Sequence, residues 1–385
     1  MRTSVVVVSY RPTEWLDRCL ESVAEQADEL VVVDNGSDAH AVTEAGRCHG
    51  ARVVRLPANA GFSGGADAGF AAATGDLVAV LNDDALAPAD WLARAADVLT
   101  DPTVAAVGPK VQLDGRFAEL RFDDETWFAP GDPRPLGRQL SSVRLAGEEV
   151  LPRLLGVHEV EQAGDRTWRW TAGERPVHLR LPDGAEAPEQ VVVDGSPVPV
   201  RRVVTLVNSA GVYLRDDGYA GDIGDSVADE GQYDAAADRF GVSGAAMVTR
   251  AETLAHLGPF SRRYFAYYED TDWCWRAQLA GLRLAYDPGA VVTHLRGQTS
   301  GGTAAARVRY LSERNRLLTL LRNAPLRMAW SEVERKRTGG GDDGVAEELW
   351  RWVPAGLAGR TVNRRKWVTT PQSVFDRWAG VNVPG

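Results

Sequence analysis

Four consecutive β-branched residues, Val5 to Val8, open the chain, and a second aliphatic run follows at Val31 to Val33. Continuous apolar runs of this kind mark strands buried on both faces. Between them Leu16, Leu20, Val23 and Ala27 recur at helical spacing behind Thr13, a residue type suited to capping a helix N-terminus. Val53 to Leu56 and Leu77 to Leu81 repeat the strand pattern. A Gly-rich turn at Asn59 to Gly65 leads into a small-residue helix over Ala66 to Ala73, and a further helix is predicted from about Pro88 to Leu99. Strands alternating with helices at this spacing predict an α/β fold, with a mainly parallel sheet, right-handed crossovers and flanking helices.

The pattern changes in the middle of the chain. From Gly115 to Val204 the sequence is rich in Pro, Gly and turn signals such as Pro182-Asp183-Gly184 and Asp194-Gly195-Ser196-Pro197. Alternation at Val177, Leu179 and Leu181, with the runs Val191 to Val193 and Val198 to Val204, predicts short antiparallel strands in an inserted β-rich module. Val242 to Thr249 and Leu282 to Tyr286 read as strands that return to the main sheet. Residues 304–323 carry Val308, Leu311, Leu317, Leu318 and Leu321 in a helical pattern, and Gly339 to Gly341 reads as a joint. The resulting division is 1–114, a β-rich insertion 115–204, a second half 205–303 and a C-terminal helical, basic extension 304–385.

Composition narrows the class. The chain has 385 residues, 44% hydrophobic and 25% charged, which fits a globular protein of two or three domains and excludes wholesale disorder or a rod. The Val5 to Val8 run is far short of the roughly 20 apolar residues that span a bilayer, and no basic segment or cleavage site frames it. Cys19, Cys48 and Cys274 are scattered and lack paired spacing, so a cytoplasmic, reducing location is expected. The formal net charge is -10, yet residues 304–385 hold 15 Arg/Lys against 8 Asp/Glu. So acidic a body is a poor partner for nucleic acid. The basic tail, with Trp350, Trp352, Trp367 and Trp378, leaves two readings open: peripheral contact with anionic headgroups at the inner face of the plasma membrane, or an Arg-rich helical face packed on the acidic body.

Ligands of open α/β sheets bind at the carboxyl ends of the strands. Val31 to Val33 runs into Asp34-Asn35-Gly36-Ser37, and Leu77 to Leu81 runs into Asn82-Asp83-Asp84. A carboxylate just past a strand can accept a nucleobase imide N–H, and adjacent oxygen ligands can hold a hard divalent cation; Asp-Asn-Gly-Ser is equally good turn chemistry. The segment Asn59-Ala60-Gly61-Phe62-Ser63-Gly64-Gly65-Ala66-Asp67 offers backbone amides to a phosphate. It is not a dinucleotide fingerprint, because that turn directly follows the first strand, where this chain has Ser9-Tyr10-Arg11-Pro12. A second constellation, Tyr267-Tyr268-Glu269-Asp270-Thr271-Asp272, crowds three carboxylates into four residues. Such crowding either raises a carboxyl pKa, as a general base requires, or complements a helix dipole. His294 follows the aliphatic Ala290 to Val292 run.

Taken in order, Val5-Val6-Val7-Val8-Ser9-Tyr10, Val33-Asp34-Asn35-Gly36-Ser37, Asn59 to Gly65, Leu81-Asn82-Asp83-Asp84, Ser243-Gly244-Ala245, Tyr267 to Asp272 and His294 resemble the family-2 glycosyltransferases with the GT-A fold, a Rossmann-like sheet. The bacterial rhamnosyltransferase and galactofuranosyltransferase members are the nearest in flavour. The resemblance covers about 1–114 and 205–323 and implies an inverting, metal-dependent transfer of a sugar from a nucleotide-diphospho-sugar. It implies that Ser9, Tyr10 and Asp34 face the nucleoside, with Asp34 on a pyrimidine N3–H, and that Asn59, Gly61, Phe62, Gly64 and Asp67 line the donor site. Asn82 and Asp84 stand at the first and third places of the Asp-x-Asp motif, so Asp84 and His294 would hold Mn²⁺ or Mg²⁺. Asp270 would be the catalytic base, and Glu269 and Asp272 would position acceptor or base. Two departures stand out: Asn82 replaces the usual first Asp, which leaves Asp83 as another contributor, and Asp67 replaces Asn. The implied donor is dTDP-rhamnose or a UDP-sugar, and the acceptor a glycan, a lipid-linked glycan or a small molecule in cell-wall or surface-polysaccharide assembly. The insertion either shapes the acceptor site or forms a homodimer contact. Two other classes stay open: a non-catalytic carbohydrate-binding or scaffold protein, and a nucleotidyltransferase, whose Gly-rich first loop is missing here.

Overall fold

The computed structural model describes residues 1–11, 14–37, 40–130, 134–295, 303–339 and 344–383. The opening valine run becomes β1 (Thr3–Ser9), in which every residue is buried. It is followed by α1 (Glu14–Ala24), β2 (Glu29–Asp34), α2 (Ala41–Cys48), β3 (Arg52–Arg55), α3 (Gly61–Ala72), β4 (Leu77–Asn82), β5 (Ala85–Leu86), α4 (Trp91–Val98) and β6 (Val104–Leu113). Strands β3, β2, β1 and β4 pair in parallel in that order. Strand Ala246–Arg250 then pairs antiparallel with β4 and β6. Strands Arg283–His294 and Ala237–Arg239 complete the order beyond β6, and β5 pairs with the carboxyl end of Arg283–His294.

The period of two along the strands divides the core. Val5 and Val7 face Leu16, Leu20 and Val23 of α1, Val42 of α2 and Trp91 of α4. Val6 and Val8 face the opposite layer, where Ala66 of α3 packs with Leu254 of α5 (Ala251–Leu257) and with Trp273, Cys274 and Ala277 of α6 (Glu269–Leu279). The C-terminal helices α7 (Thr303–Asn323), α8 (Leu326–Gly339), α9 (Val345–Asn363) and α10 (Pro371–Trp378) share a third core. In it Leu317 and Leu321 meet Trp275 and Leu279 of α6, Val333 of α8, Leu349 and Val353 of α9, and Trp378 of α10. Among the described residues no helix is long and apolar enough to cross a membrane.

Several elements depart from the sequence expectation. Helix α2 was not foreseen, because two short apolar positions are all it buries between two strands. Helix α3 starts at Gly61 rather than Ala66. Its Gly65 lies so close to β1 that a Cβ would sit 2.4 Å from Val8 Cγ1, so the residues that read as a turn are the ones that let the helix lie flush on the sheet. Helix α4 starts at Trp91, past the expected Pro88, and the last sheet strand runs from Arg283 to His294, absorbing the Ala290 to Val292 run. Thr13, Gly340 and Gly341 lie outside the described residues; α8 continues through Gly339.

Residues 1–112, 208–225 and 231–385 form one compact unit, and residues 113–207 with 226–230 form another. The second unit is built from small antiparallel sheets around Leu120, Leu140, Val143, Val177, Leu179 and Val191. Its strands include Val177–Arg180, Gln190–Val193, Ser196–Pro199 and Arg202–Val204.

Candidate active site

The parallel register sets three strand ends side by side. Ser9 is level with Asp34 on β2, and Val8 with Asn82 on β4; at about 4.8 Å per strand the three ends span roughly 10 Å. Asp34 is fully buried. Its Oδ1 accepts from the Ser37 amide at 2.9 Å and the Ser37 hydroxyl at 2.7 Å. Its Oδ2 has Arg55 Nε at 3.5 Å and no hydrogen-bond partner among the described residues. A buried acceptor left in this state is costly until a donor reaches it. Gly36, Ser37, Arg55, Leu56 and Pro57 line a cavity of about 400 Å³ at this strand end. Tyr10, one residue past β1, is exposed, with the Arg11 guanidinium 5.5 Å from its ring.

Beyond β4, His294 Nε2 lies 2.9 Å from Asp84 Oδ1 and 3.3 Å from Asn82 Nδ2. Its Nδ1 lies 2.7 Å from Asn208 Oδ1. An amide oxygen only accepts, so Nδ1 carries a proton and Nε2 is the ring nitrogen that points at Asp84. Two lone pairs facing each other at this distance repel unless a proton or a cation lies between them. One carboxylate and one imidazole, the latter oriented from behind by Asn208, suit a divalent ion of the Mn²⁺ or Mg²⁺ type. No group of three or more His, Cys, Asp or Glu side chains gathers among the described residues. Asp83 lies against the Ser9 hydroxyl instead. Burial, above all, pushes its carboxyl up to about 6, with the Ser9 contact working against burial and the Asp84 charge adding to it.

The Gly-rich segment is pinned from both sides. Asn35 Oδ1 accepts from the Ala60 amide at 2.9 Å and Asn35 Nδ2 donates to Gly61 O at 3.1 Å, while Asn59 Oδ1 accepts from the Gly61 amide at 2.8 Å. Gly61 has φ +73°, and a Cβ there would stand 2.1 Å from Phe265 O. The Ser63 amide donates to that same carbonyl at 3.0 Å, so the loop is stitched to the segment that precedes Glu269. Phe62 packs on Phe260 with ring centroids 6.3 Å apart, and Gly64 lies buried in the first turn of α3. Asp67 is engaged by Arg262, so its carboxylate is neutralised by a protein cation rather than held free toward a diphosphate.

Phe265, Tyr267 and Tyr268 all have left-handed backbone, with φ of 66°, 71° and 69°. Non-glycine residues pay for this conformation, and it persists only where the surroundings impose it. Asn315 of α7 does so: its Nδ2 lies 2.9, 2.8 and 2.8 Å from the carbonyl oxygens of Tyr264, Ala266 and Tyr267. The chain then enters α6 with Glu269 and Asp270. Asp270 Oδ2 accepts from the Gly244 amide at 2.8 Å and Oδ1 from the Thr271 amide at 2.6 Å. Ala245 O in turn accepts from the Asn82 amide at 2.9 Å, which sets the Asp270 anchor beside the end of β4. Burial raises the Asp270 pKa against these bonds. Glu269 is pushed up to about 8, by burial first and the Asp270 charge second. Its Oε2 and the Ser63 hydroxyl are both buried without a hydrogen-bond partner among the described residues.

Asp272 differs from its two acidic neighbours. It is fully buried, with Arg276 Nε at 3.0 Å, Arg322 Nε at 2.7 Å and Asn323 Nδ2 at 2.8 Å. Burial alone would raise its pKa, but the two guanidiniums prevail and bring it to about 2. It ties α6 to α7 and has no oxygen left for an acceptor. Asn208, Asn315 and Arg322 escaped the sequence reading. The single signal for Asn315 was a polar residue amid the leucines of α7; Asn208 gave none, because its role depends on a partner 86 positions away.

Residues 4–140 match the model of the family described as Glycosyl transferase family 2. This stretch is similar to glycosyl transferase family 2 domains. The chain is similar to the glucosyl-dolichyl phosphate glucuronosyltransferase of Haloferax volcanii, 30% identical over 155 residues, which are 37% of this chain and 50% of that protein. It is also similar to an uncharacterized glycosyltransferase of Nostoc sp., 32% identical over 114 residues, 28% of this chain and 35% of that one. The chain thus spans half or less of the length of these curated relatives. The crystal structure of GalNAc-T7 with UDP, GalNAc and Mn²⁺ superposes with a TM-score of 0.56 at 12% identity, covering 98% of this chain and 56% of that one. The likeness establishes the GT-A fold expected for a glycosyl transferase family 2 domain.

Proposed function

We propose that this protein is an inverting, metal-dependent glycosyltransferase that moves a hexosyl group from a nucleotide-diphospho-sugar to an acceptor hydroxyl. One observation carries the reading: Asp34, the Asp84–His294 pair and Asp270 stand along a single edge of the sheet, joined through the register of β2, β1, β4 and the Asn82–Ala245 hydrogen bond. The Oδ2 of Asp34, which has Arg55 Nε at 3.5 Å but no hydrogen-bond donor among the described residues, meets the imide N–H of a pyrimidine, with Ser9 and Tyr10 beside the nucleoside. This favours dTDP-rhamnose or a UDP-sugar as donor, in keeping with a rhamnosyl- or galactofuranosyltransferase-like subtype. Asn59, Gly61, Phe62 and Gly64 shape the donor wall, and Asp84 and His294 hold the cation with Asn82 beside them. When bound, Mn²⁺ or Mg²⁺ offsets the charge that develops on the departing diphosphate.

Asp270 takes the proton of the acceptor hydroxyl as the new bond to the anomeric carbon forms. Its raised pKa suits that task, and general-base assistance of this kind is worth about 10²- to 10⁴-fold. Glu269, neutral below about pH 8, donates a hydrogen bond to acceptor or donor instead of competing for the proton. The acceptor is a glycan, free or lipid-linked, in cell-wall or surface-polysaccharide assembly. Asp270→Asn should lower transfer by at least about 100-fold while UDP with Mn²⁺ binds as in wild type by calorimetry. Undiminished turnover of this variant removes Asp270 from the role.

A further inference from the structure

We propose that the outward face of α9 docks this protein on an anionic lipid bilayer. The helix buries Val345, Leu349, Val353 and Gly356 on one side. On the other side, Trp350, Pro354, Ala358 and Val362 recur at every fourth position, and all four are exposed. Spacing of this kind lays them in one row along the helix surface, an apolar stripe facing away from the protein's own core. Single exposed apolar residues are ordinary on protein surfaces, whereas a continuous row marks a contact surface. Trp350 is 65% exposed, Val362 64% and the nearby Val368 81%. The helix has 19 residues, so the stripe belongs to an element about 28 Å long, ample to lie flat in an interface.

Charge selects the occupant. Exposed Arg351, which pairs with Glu348 at 3.3 Å, and exposed Arg365 flank the apolar row, exposed Arg364 adjoins it, and Glu347 is the one exposed acid on α9. Arg364 and Arg365 make no ion pair with any described residue. The arginines of α7 differ from this pair. Arg314, Arg316 and Arg322 of α7 are buried and consumed by internal partners, Arg316 by Glu313 and Glu332, Arg322 by Asp272. Arg364 and Arg365, just past the end of α9, have no such acidic partner among the described residues, whereas Arg360 in its last turn donates to Leu321 O and Ala324 O. The protein carries a net charge of -10, while residues 304–385 hold 15 Arg/Lys against 8 Asp/Glu, and Arg364, Arg365 and Lys366 follow directly on α9. An anionic surface therefore repels the body and attracts α9, which fixes the orientation of approach. Tryptophan beside arginine on an exposed helix face is the composition that settles at the headgroup level of a bilayer. These residues take no part in the cleft at the sheet edge, so the inference stands apart from the proposed reaction.

The test is flotation of the full chain with vesicles of phosphatidylcholine containing about 30% phosphatidylglycerol, and with phosphatidylcholine alone, at about 0.1 M salt. The wild type is expected to float with the anionic vesicles, to stay behind with the neutral ones, and to be released by 1 M salt. A Trp350→Glu/Val362→Glu variant should lose flotation while retaining the wild-type circular dichroism and melting midpoint. Arg364→Gln/Arg365→Gln should weaken binding by about 30-fold, each cation near an anionic surface being worth roughly fivefold. Equal flotation of either variant and wild type overturns the proposal. So does light scattering that shows a dimer dispersed by Trp350→Glu in a protein that ignores vesicles, since the row would then be the seat of a second copy.

Discussion

Replacing Glu269 by Gln should stabilise the protein, and by an amount that grows with pH. In the folded state the Glu269 carboxyl is buried beside Asp270 and titrates at about 8, against 4.5 for an unperturbed glutamate. Between these values the folded form keeps a proton that the unfolded chain releases, so the stability that Glu269 permits at low pH is lost as pH rises through the folded value. With about 1.4 kcal/mol per unit, the loss is about 3 kcal/mol at pH 6.5 and on the order of 5 kcal/mol at pH 8.5. Glutamine retains the neutral shape and both hydrogen-bonding functions but cannot ionise. Urea unfolding followed by tryptophan fluorescence at steps from pH 4.5 to 8.5 should therefore give two curves that meet at the acid end and diverge steadily above pH 5. Adding Asp270→Asn to both chains should narrow the gap without closing it, because burial is the larger cause and the Asp270 charge the smaller. A stability difference independent of pH would refute the reasoning, since it would mean that Glu269 is already ionised in the folded protein near neutrality.

Two further perturbations probe the supports of the site. Arg322→Met leaves Asp272 buried with Arg276 and Asn323 as its remaining partners and should cost about 3 kcal/mol in denaturant unfolding at neutral pH; an unchanged midpoint would show that the clamp contributes nothing. Asn208→Ala removes the acceptor that fixes the proton on His294 Nδ1 and should weaken Mn²⁺-dependent nucleotide binding by about 10- to 100-fold with little effect on the melting temperature, as calorimetry would register.

The parallel half of the sheet was readable because its strands are unbroken aliphatic runs, and the polar residues that end them, Asp34 and Asn82 to Asp84, could be placed from strand boundaries alone. What escaped depends on direction rather than on composition. Asp270 and Asp272 look alike in sequence, yet two residues of α-helix turn one roughly 200° from the other. The first therefore points to the sheet edge and Gly244, the second into α7 and its arginines. Asp67 is spoken for by Arg262, a cation distant in sequence. The glycines at 61 and 65 read as a turn because nothing in the sequence shows that Phe265 and Val8 occupy the space where side chains would go. Asn315 and Asn208 act through contacts across dozens of residues, which no local pattern encodes. The tail was ambiguous for a simple reason: arginines that hold α7 in place and arginines that face outward on α9 contribute alike to a charge count.

The most direct test of the cleft is anomalous diffraction at the manganese edge from crystals of the protein grown with UDP and Mn²⁺. The account predicts a single strong peak in contact with both Asp84 and His294 Nε2, with the uracil ring seated against Asp34 Oδ2. A manganese peak and nucleotide bound away from these side chains, in a crystal where the β4 end is ordered, would contradict it.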